Sequence, residues 1–152
     1  MVAPNAAGCF WLRLTSRSVV QTGTNQQGSD MEGLAERRVF LVEDEMLLAL
    51  MIQYSLAEAG AQTIGPASRL ADALAIASNP EERMDAAILD VDLHGQNVFP
   101  VADALQERGV PFLFHTGHGT KAELTGRYTE VVVCSKPTLP EDLIAALAGL
   151  LN

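Results

Sequence analysis

Short apolar segments alternate with segments of helical periodicity along most of this chain. The apolar segments lie at residues 38–42, 61–65, 84–90, 111–116 and 130–135. The helical patterns lie near residues 43–60, 68–78, 99–109, 117–128 and 139–151, and Gly126 interrupts the fourth. Strands that alternate with helices pair in parallel through right-handed crossovers, with helices on both faces of the sheet. We therefore predict an α/β fold with a parallel sheet of five strands.

The first 36 residues differ in composition from the rest of the chain. Residues 12–30 are mostly Ser, Thr, Gln, Asn and Gly, which bury too little apolar surface to order a segment. The apolar stretch before them is too short for a signal peptide or a membrane span. We predict a flexible extension over residues 1–36, a single domain over residues 37–152, and a cytoplasmic protein that does not associate with membranes.

The charge and the cysteines exclude further classes. The formal net charge of −9 argues against nucleic-acid binding, which needs clustered Lys and Arg, and the chain has only two lysines, Lys121 and Lys136. Cys9 and Cys134 show no CxxC spacing. We therefore predict no disulfide framework, and two such cysteines fit a reducing compartment.

Polar residues stand where the predicted strands end. Acidic residues 43–45 follow the first strand, Asp90 ends the third, Thr116 ends the fourth and Lys136 follows the fifth, whereas Gly65 at the second carries no charge. Ligands of open parallel sheets bind beyond the carboxyl ends of the strands. Clustered carboxylates repel one another unless a cation neutralises them, and Mg²⁺ takes oxygen ligands while keeping waters that a phosphate can replace. The pattern predicts a magnesium site at this edge.

These residues give the chain a family resemblance. Residues 37–152 resemble a receiver domain of a bacterial two-component response regulator, because Glu43-Asp44, Asp90, Thr116 and Lys136-Pro137 occur in the family's order on the βα units. The resemblance implies a doubly wound, flavodoxin-like sheet with strand order 2-1-3-4-5. It also implies a signalling protein that acts in phosphorelay signal transduction and is not an enzyme.

The resemblance assigns the phosphoacceptor and the metal ligands. Asp90 would accept a phosphoryl group from a sensor histidine kinase or a histidine phosphotransfer protein. Asp44 would ligate Mg²⁺, Glu43 would hold it directly or through water, and Asp90 and the backbone carbonyl of Asp92 would complete the protein ligands.

Further roles follow from the same resemblance. Lys136 would pair with a phosphoryl oxygen, and Thr116 would move to hydrogen-bond the phosphoryl group. The side chain of Asp92 would tune access of water, and His118 would line the phosphate site. The peptide bond before Pro137 would be cis.

One departure from the family bears on signal output. Receivers commonly carry Tyr or Phe three residues before the lysine, where this chain has Val133. The segment FLFHTGHG is similar to the FATG-type motif of a subgroup that also lacks the aromatic residue. We expect output through ordering of residues 117–128, and partner contacts on the fourth helix, fifth strand and fifth helix. The expected role is a stand-alone receiver that contacts a downstream protein or relays phosphate, and phosphorylation-dependent homodimerisation is compatible with it.

Four alternatives remain at this point. Residues 43–45 are also typical of the acidic first turn of a helix. A pseudo-receiver would keep the fold as a binding module without phosphorylation, although such proteins usually lose Asp90 or Lys136. A phosphatase of the haloacid dehalogenase type would use Asp90 and Asp92 as a DxD motif, but that motif normally ends the first strand of its domain. His115 and His118 suggest a metal site, yet no third soft ligand lies nearby.

Overall fold

The computed structural model describes residues 9–13, 32–117, 121–128 and 130–151. The strands are β1 (Cys9–Arg13), β2 (Arg38–Val42), β3 (Gln62–Ala67), β4 (Ala86–Asp90), β5 (Asp92–Leu93), β6 (Gln96–Asn97), β7 (Phe112–Thr116) and β8 (Glu130–Ser135). The helices are α1 (Met46–Glu58), α2 (Leu70–Ser78), α3 (Phe99–Glu107), α4 (Lys121–Arg127) and α5 (Pro140–Leu151). None of the helices in these ranges is both long and apolar enough to span a membrane.

The main sheet has the predicted parallel core. Its order is β1-β8-β7-β4-β2-β3. Within it, the neighbouring pairs β8–β7, β7–β4, β4–β2 and β2–β3 are all parallel. In chain order of the five predicted strands this is 2-1-3-4-5, so the prediction of a doubly wound sheet is confirmed. Strand β4 lies in the middle and all five of its residues are buried. Its carboxyl end therefore lies at the centre of the sheet edge, where ligands of such folds bind.

Helices cover both faces of the sheet. One core cluster joins the sheet to α2, α3 and α4 through residues such as Ala73, Val101 and Leu124. The other joins it to α1 and α5 through residues such as Ile52 and Leu147. Alternate residues of each strand serve the two clusters, because successive side chains of a strand point to opposite faces.

The N-terminal segment differs from its prediction. Within the predicted flexible extension, residues 9–13 form β1, which pairs antiparallel with β8 and adds a sixth strand to the sheet. Cys9 and Cys134 face each other in this pairing and form a disulfide, so the prediction that they do not pair is corrected. The physical reason is the exposed edge of β8, whose unpaired backbone groups a second strand can satisfy. Residues 1–8 and 14–31 lie outside the described part.

A polar contact joins α3 to the end of α4. Asp103 on α3 accepts hydrogen bonds from the Tyr128 hydroxyl and from an Arg127 nitrogen, both at 2.9 Å. The Arg127 guanidinium lies 4.7 Å from the centroid of the Phe99 ring. Tyr128 is 3% exposed and its ring packs against Phe114 with centroids 5.4 Å apart. The carboxyl-terminal end of α4 is thus held against α3 and the sheet.

We expect Asp103→Ala to lower the free energy of unfolding by about 1 to 2 kcal/mol, because it leaves the buried Tyr128 hydroxyl without its acceptor. Urea denaturation measures this loss. Glu107→Ala, which removes an exposed carboxylate from the same helix, serves as the control and should change stability by less than about 0.5 kcal/mol. Equal effects of the two variants would show that the contact adds nothing to stability.

Candidate functional site

The polar residues predicted at the strand ends lie together at one edge of the sheet. Glu43 and Asp44 follow β2, Asp90 ends β4, Thr116 ends β7 and Lys136 follows β8. Glu43 is 2% exposed and Asp90 is 5% exposed. Charged side chains are rarely buried to this extent without partners. The carboxyl-terminal edge of the parallel strands therefore forms a polar site next to an apolar core.

Three carboxylates converge there. One oxygen each of Glu43, Asp44 and Asp90 lies within 4.8 Å of the other two. The order of the strands explains this, since β2 and β4 are neighbours and their carboxyl ends meet. A hard divalent cation with oxygen ligands can bridge such a group.

Lys136 supplies the positive charge. Its Nζ lies 3.2 Å from an Asp90 oxygen and 3.4 Å from each Glu43 oxygen. The backbone N–H of Lys136 donates to the carbonyl of Thr116 at 2.7 Å, which holds the lysine at the end of β8. The peptide bond between Lys136 and Pro137 is cis, and so is the bond between Gly65 and Pro66. One ammonium group thus faces two buried carboxylates.

The surroundings raise the pKa of Asp90 to about 8. Burial is the largest cause and repulsion by Glu43 adds to it, while Lys136 opposes both. In contrast, the pKa of Asp44 lies below its ordinary value. Burial acts to raise it, but the hydrogen bonds from the His94 amide and from Asp90 outweigh that effect. The pKa of Lys136 is raised, because Asp90 and Glu43 outweigh its burial.

A contact that the sequence analysis missed orients Asp44. The backbone N–H of His94 donates to Asp44 Oδ2 at 3.0 Å. His94 and Gly95 form the two-residue turn between β5 and β6, with φ of 51° and 83°. Positive φ at both positions is typical of a type I′ hairpin turn. The His-Gly pair was the sequence signal for this turn, although nothing local indicated that its amide reaches Asp44.

The side chain of Asp92 takes part in the same hairpin. Its Oδ1 accepts a hydrogen bond from the Gly95 N–H at 2.6 Å, and the residue is exposed. Its backbone N–H donates to Asp90 Oδ1 at 3.3 Å. Asp92 therefore braces the loop after β4 and helps to orient Asp90.

The remaining predicted residues lie at different places. Thr116 is buried at the end of β7, beside Ser135 in the strand register. Val133 is buried in the core cluster that also contains Phe114 and Tyr128. His118 lies outside the described residues, so its predicted place beside the phosphate is not described. His115 is buried on β7, and burial lowers its pKa to about 4 with help from Lys136.

The donor atoms of the carboxylate cluster suit a magnesium ion. Its donors are all carboxylate oxygens, which Mg²⁺ prefers to the soft ligands of transition metals. Burial beside Glu43 disfavours the ionised form of Asp90 even with Lys136 nearby, and a divalent cation would stabilise the two carboxylates together. The described residues thus form a candidate metal centre around Asp90.

A doubly wound sheet with three acids and a lysine at its carboxyl edge is the arrangement that the resemblance to receiver domains implies. No model of a protein family matches the sequence, and no curated protein matches it. Among solved structures, SdrG from Sphingomonas melonis Fr1 is 35% identical, with 79% of this chain and 98% of SdrG covered and a TM-score of 0.62. A response regulator receiver protein from Sinorhizobium medicae is 22% identical over 77% of this chain and 95% of that protein, with a TM-score of 0.69.

The response regulator PhyR from Brucella abortus is also similar, at 24% identity and a TM-score of 0.67. The match covers 81% of this chain but 51% of PhyR, so the chain spans about half the length of that protein. The chain belongs to the receiver-domain family of response regulators. Members of this family are signalling proteins rather than enzymes.

Proposed function

We propose that Asp90 accepts a phosphoryl group from a phosphohistidine of a sensor histidine kinase or a phosphotransfer protein. A cation held at the carboxylate cluster would favour the ionised form of Asp90. The carboxylate oxygen of Asp90 forms a bond to phosphorus, the P–N bond breaks, and the imidazole leaves with its ring nitrogen free to take up a proton. The observation that carries the proposal is the position of Lys136 Nζ, 3.2 Å from Asp90 and 3.4 Å from Glu43. An ammonium group at this place can pair with an incoming phosphoryl oxygen.

Catalysis of phosphoryl transfer depends mainly on positioning the reacting groups and neutralising their charge. The residues around Asp90 would provide both. Glu43, Asp44, Asp90 and the backbone carbonyl of Asp92 would hold Mg²⁺. When bound, the ion would neutralise charge on the phosphoryl oxygens. The His94 amide fixes one oxygen of Asp44, and the Asp92 amide fixes one oxygen of Asp90, so the carboxylates need little reorganisation.

Thr116 would transmit the effect of phosphorylation from Asp90 to the segment that leads to α4. Its place at the end of β7, directly before the segment that leads to α4, suits a residue that reports the phosphoryl group. Since the usual aromatic position is occupied by Val133, we propose that output proceeds through ordering of residues 117–128. A cytoplasmic location, a downstream protein target and a phosphorylation-dependent homodimer belong to the same proposal.

The outer face of α1 is a candidate contact surface for the phosphodonor. Four of its large apolar side chains are strongly exposed, at 78% for Met46, 68% for Leu47, 55% for Leu50 and 66% for Tyr54. Contiguous exposed apolar surface usually marks a protein interface. The helix begins two residues after Asp44, so a partner on this face would reach the phosphoacceptor. This surface differs from the α4, β8 and α5 surface predicted from the resemblance.

Intact-protein mass after incubation with acetyl phosphate tests the proposal. We expect a gain of one phosphoryl group in the presence of Mg²⁺ and none when EDTA replaces it. No gain, together with an amide NMR spectrum that beryllofluoride leaves unchanged, would contradict phosphorylation and favour the pseudo-receiver, with which the similarity to PhyR is also compatible. Sustained hydrolysis of p-nitrophenyl phosphate would instead favour the phosphatase alternative.

A further inference from the structure

A disulfide holds strand β1 on the edge of the sheet. Cys9 at the start of β1 and Cys134 on β8 are the two cysteines of the sequence, and they are linked across 125 residues. Cys9 is buried in the core cluster that joins the sheet to α1 and α5, together with Leu143 and Leu147. Oxidation of the cysteine pair therefore fastens a strand of the N-terminal segment to β8.

The backbone amides of β8 fall into two sets. The N–H of Lys136 donates to the carbonyl of Thr116, so this amide points to β7. Alternate residues of a strand point their amides to the same neighbour, so the amides of Val132 and Cys134 also point to β7. This first set does not need β1.

The second set of amides belongs to Val131 and Val133 and points to β1. The spacing of the linked cysteines agrees with this assignment, because their Cα atoms are 4.0 Å apart. That distance is closer to the roughly 4.5 Å of a non-hydrogen-bonded antiparallel pair than to the roughly 5.5 Å of a hydrogen-bonded one. The adjacent pair of Phe10 and Val133 is therefore a hydrogen-bonded pair. Strand β1 thus closes the free edge of β8 through the second set.

The disulfide opposes the departure of β1 from this edge. The strand has five residues, and short terminal strands at a sheet edge open at a low cost in free energy. A covalent link that closes a long loop limits how far the open strand can move away, and so favours its return. Both sulfurs belong to buried residues, so a reductant reaches them when the end of β1 opens.

We propose that the Cys9–Cys134 pair is a redox switch that closes the edge of β8 when oxidised and opens it when reduced. A low-molecular-weight thiol such as glutathione attacks one sulfur, the S–S bond breaks, and a second thiol resolves the mixed disulfide. The protein disulfide gains two electrons and two protons and becomes two thiols, while the two glutathione thiols are oxidised to one disulfide. Oxidised glutathione reverses these steps.

This inference rests on the cytoplasmic location within the proposed function, since disulfides of cytosolic proteins are usually transient and often sense redox state. It does not depend on phosphorylation of Asp90. Strand β8 belongs to the surface predicted for partner contacts, and an edge that β1 occupies cannot pair with a strand of another chain. The switch thus makes this edge available in the reduced protein.

Amide hydrogen exchange of the full, unphosphorylated chain, measured by NMR, tests the switch. Millimolar reduced glutathione should raise the intact mass by two hydrogen atoms and speed exchange at Val131 and Val133 at least about tenfold. Exchange at Val132 and Cys134 should change less than about twofold, because β7 still holds their amides. Oxidised glutathione should restore slow exchange at the second set.

Cys9→Ser is the control that cannot form the link, so Val131 and Val133 should exchange fast in it with or without glutathione. Equally slow exchange of these two amides in the oxidised and reduced wild type would overturn the proposal, because β1 would then stay on β8 without the link. Equal acceleration at Val132 would also overturn it, since the whole sheet would have loosened. A disulfide that glutathione reduces only in the unfolded chain would exclude a switch. None of these results depends on phosphoryl incorporation, so failure of the phosphoacceptor proposal is recognised separately.

Discussion

Asp90→Asn is expected to reduce phosphoryl incorporation from acetyl phosphate at least about a thousandfold, as loss of a nucleophile does in covalent catalysis. An amide oxygen carries no charge to attack phosphorus, and the neighbouring acids are held in other contacts. Asp44 Oδ2 accepts the His94 amide, and Glu43 accepts the Glu45 amide and pairs with Lys136. Intact-protein mass over a time course, with Mg²⁺ present, measures the loss.

The matched control is Asp92→Asn. Asp92 lies two residues from Asp90 and is exposed, with its side chain engaged by the Gly95 amide, and the substitution keeps its backbone carbonyl. We expect this variant to incorporate one phosphoryl group, as the wild type does. Incorporation by Asp90→Asn at the wild-type rate would show that another residue is the acceptor, and peptide mapping would identify it.

The second large effect concerns stability against pH. The pKa of Asp90 is about 8 in the folded protein and 3.8 is its ordinary value. Between these values the folded state keeps a proton that the unfolded state has lost. The free energy of unfolding therefore falls as pH rises through this window, by up to about 1.4 kcal/mol per pH unit for one group.

Urea denaturation in EDTA at pH 5, 6, 7 and 8 measures this slope. Because other groups titrate as well, the informative quantity is the difference between the wild type and Asp90→Asn. The variant cannot ionise at this position, so its stability relative to the wild type should rise with pH, on the order of a few kcal/mol between pH 5 and pH 8. Asp92→Asn should keep the wild-type slope. Parallel curves for the wild type and Asp90→Asn would show that Asp90 is not held protonated by its surroundings.

Several features of this fold could be predicted from the sequence because they depend on near neighbours in the chain. The apolar runs and helical periodicities located every element of the parallel sheet, and the end of each run located the acids, Thr116 and Lys136. Gly60 closes the first helical pattern of the sequence, and glycine at such a position readily adopts the left-handed conformation that ends a helix; its φ is 81°, two residues after Glu58. Local pattern was sufficient here, since alternating strands and helices allow few topologies.

Other features required the tertiary structure, because they join residues that are distant in sequence. Strand β1 pairs with β8, and the facing residues Cys9 and Cys134 are 125 positions apart in the sequence. The polar composition of the N-terminal segment gave no signal of this pairing. The His94 amide reaches Asp44 across 50 residues, and no local pattern of residues indicates that contact.

The sequence by itself determined which residues stand at the ends of the strands, and therefore which chemistry the edge can support. Only the tertiary structure decided how those residues affect one another. The raised pKa of Asp90 depends on burial beside Glu43, and the lowered pKa of His115 depends on its burial near Lys136. Burial and through-space charge follow from the packing of the whole chain, and no local pattern of residues encodes them.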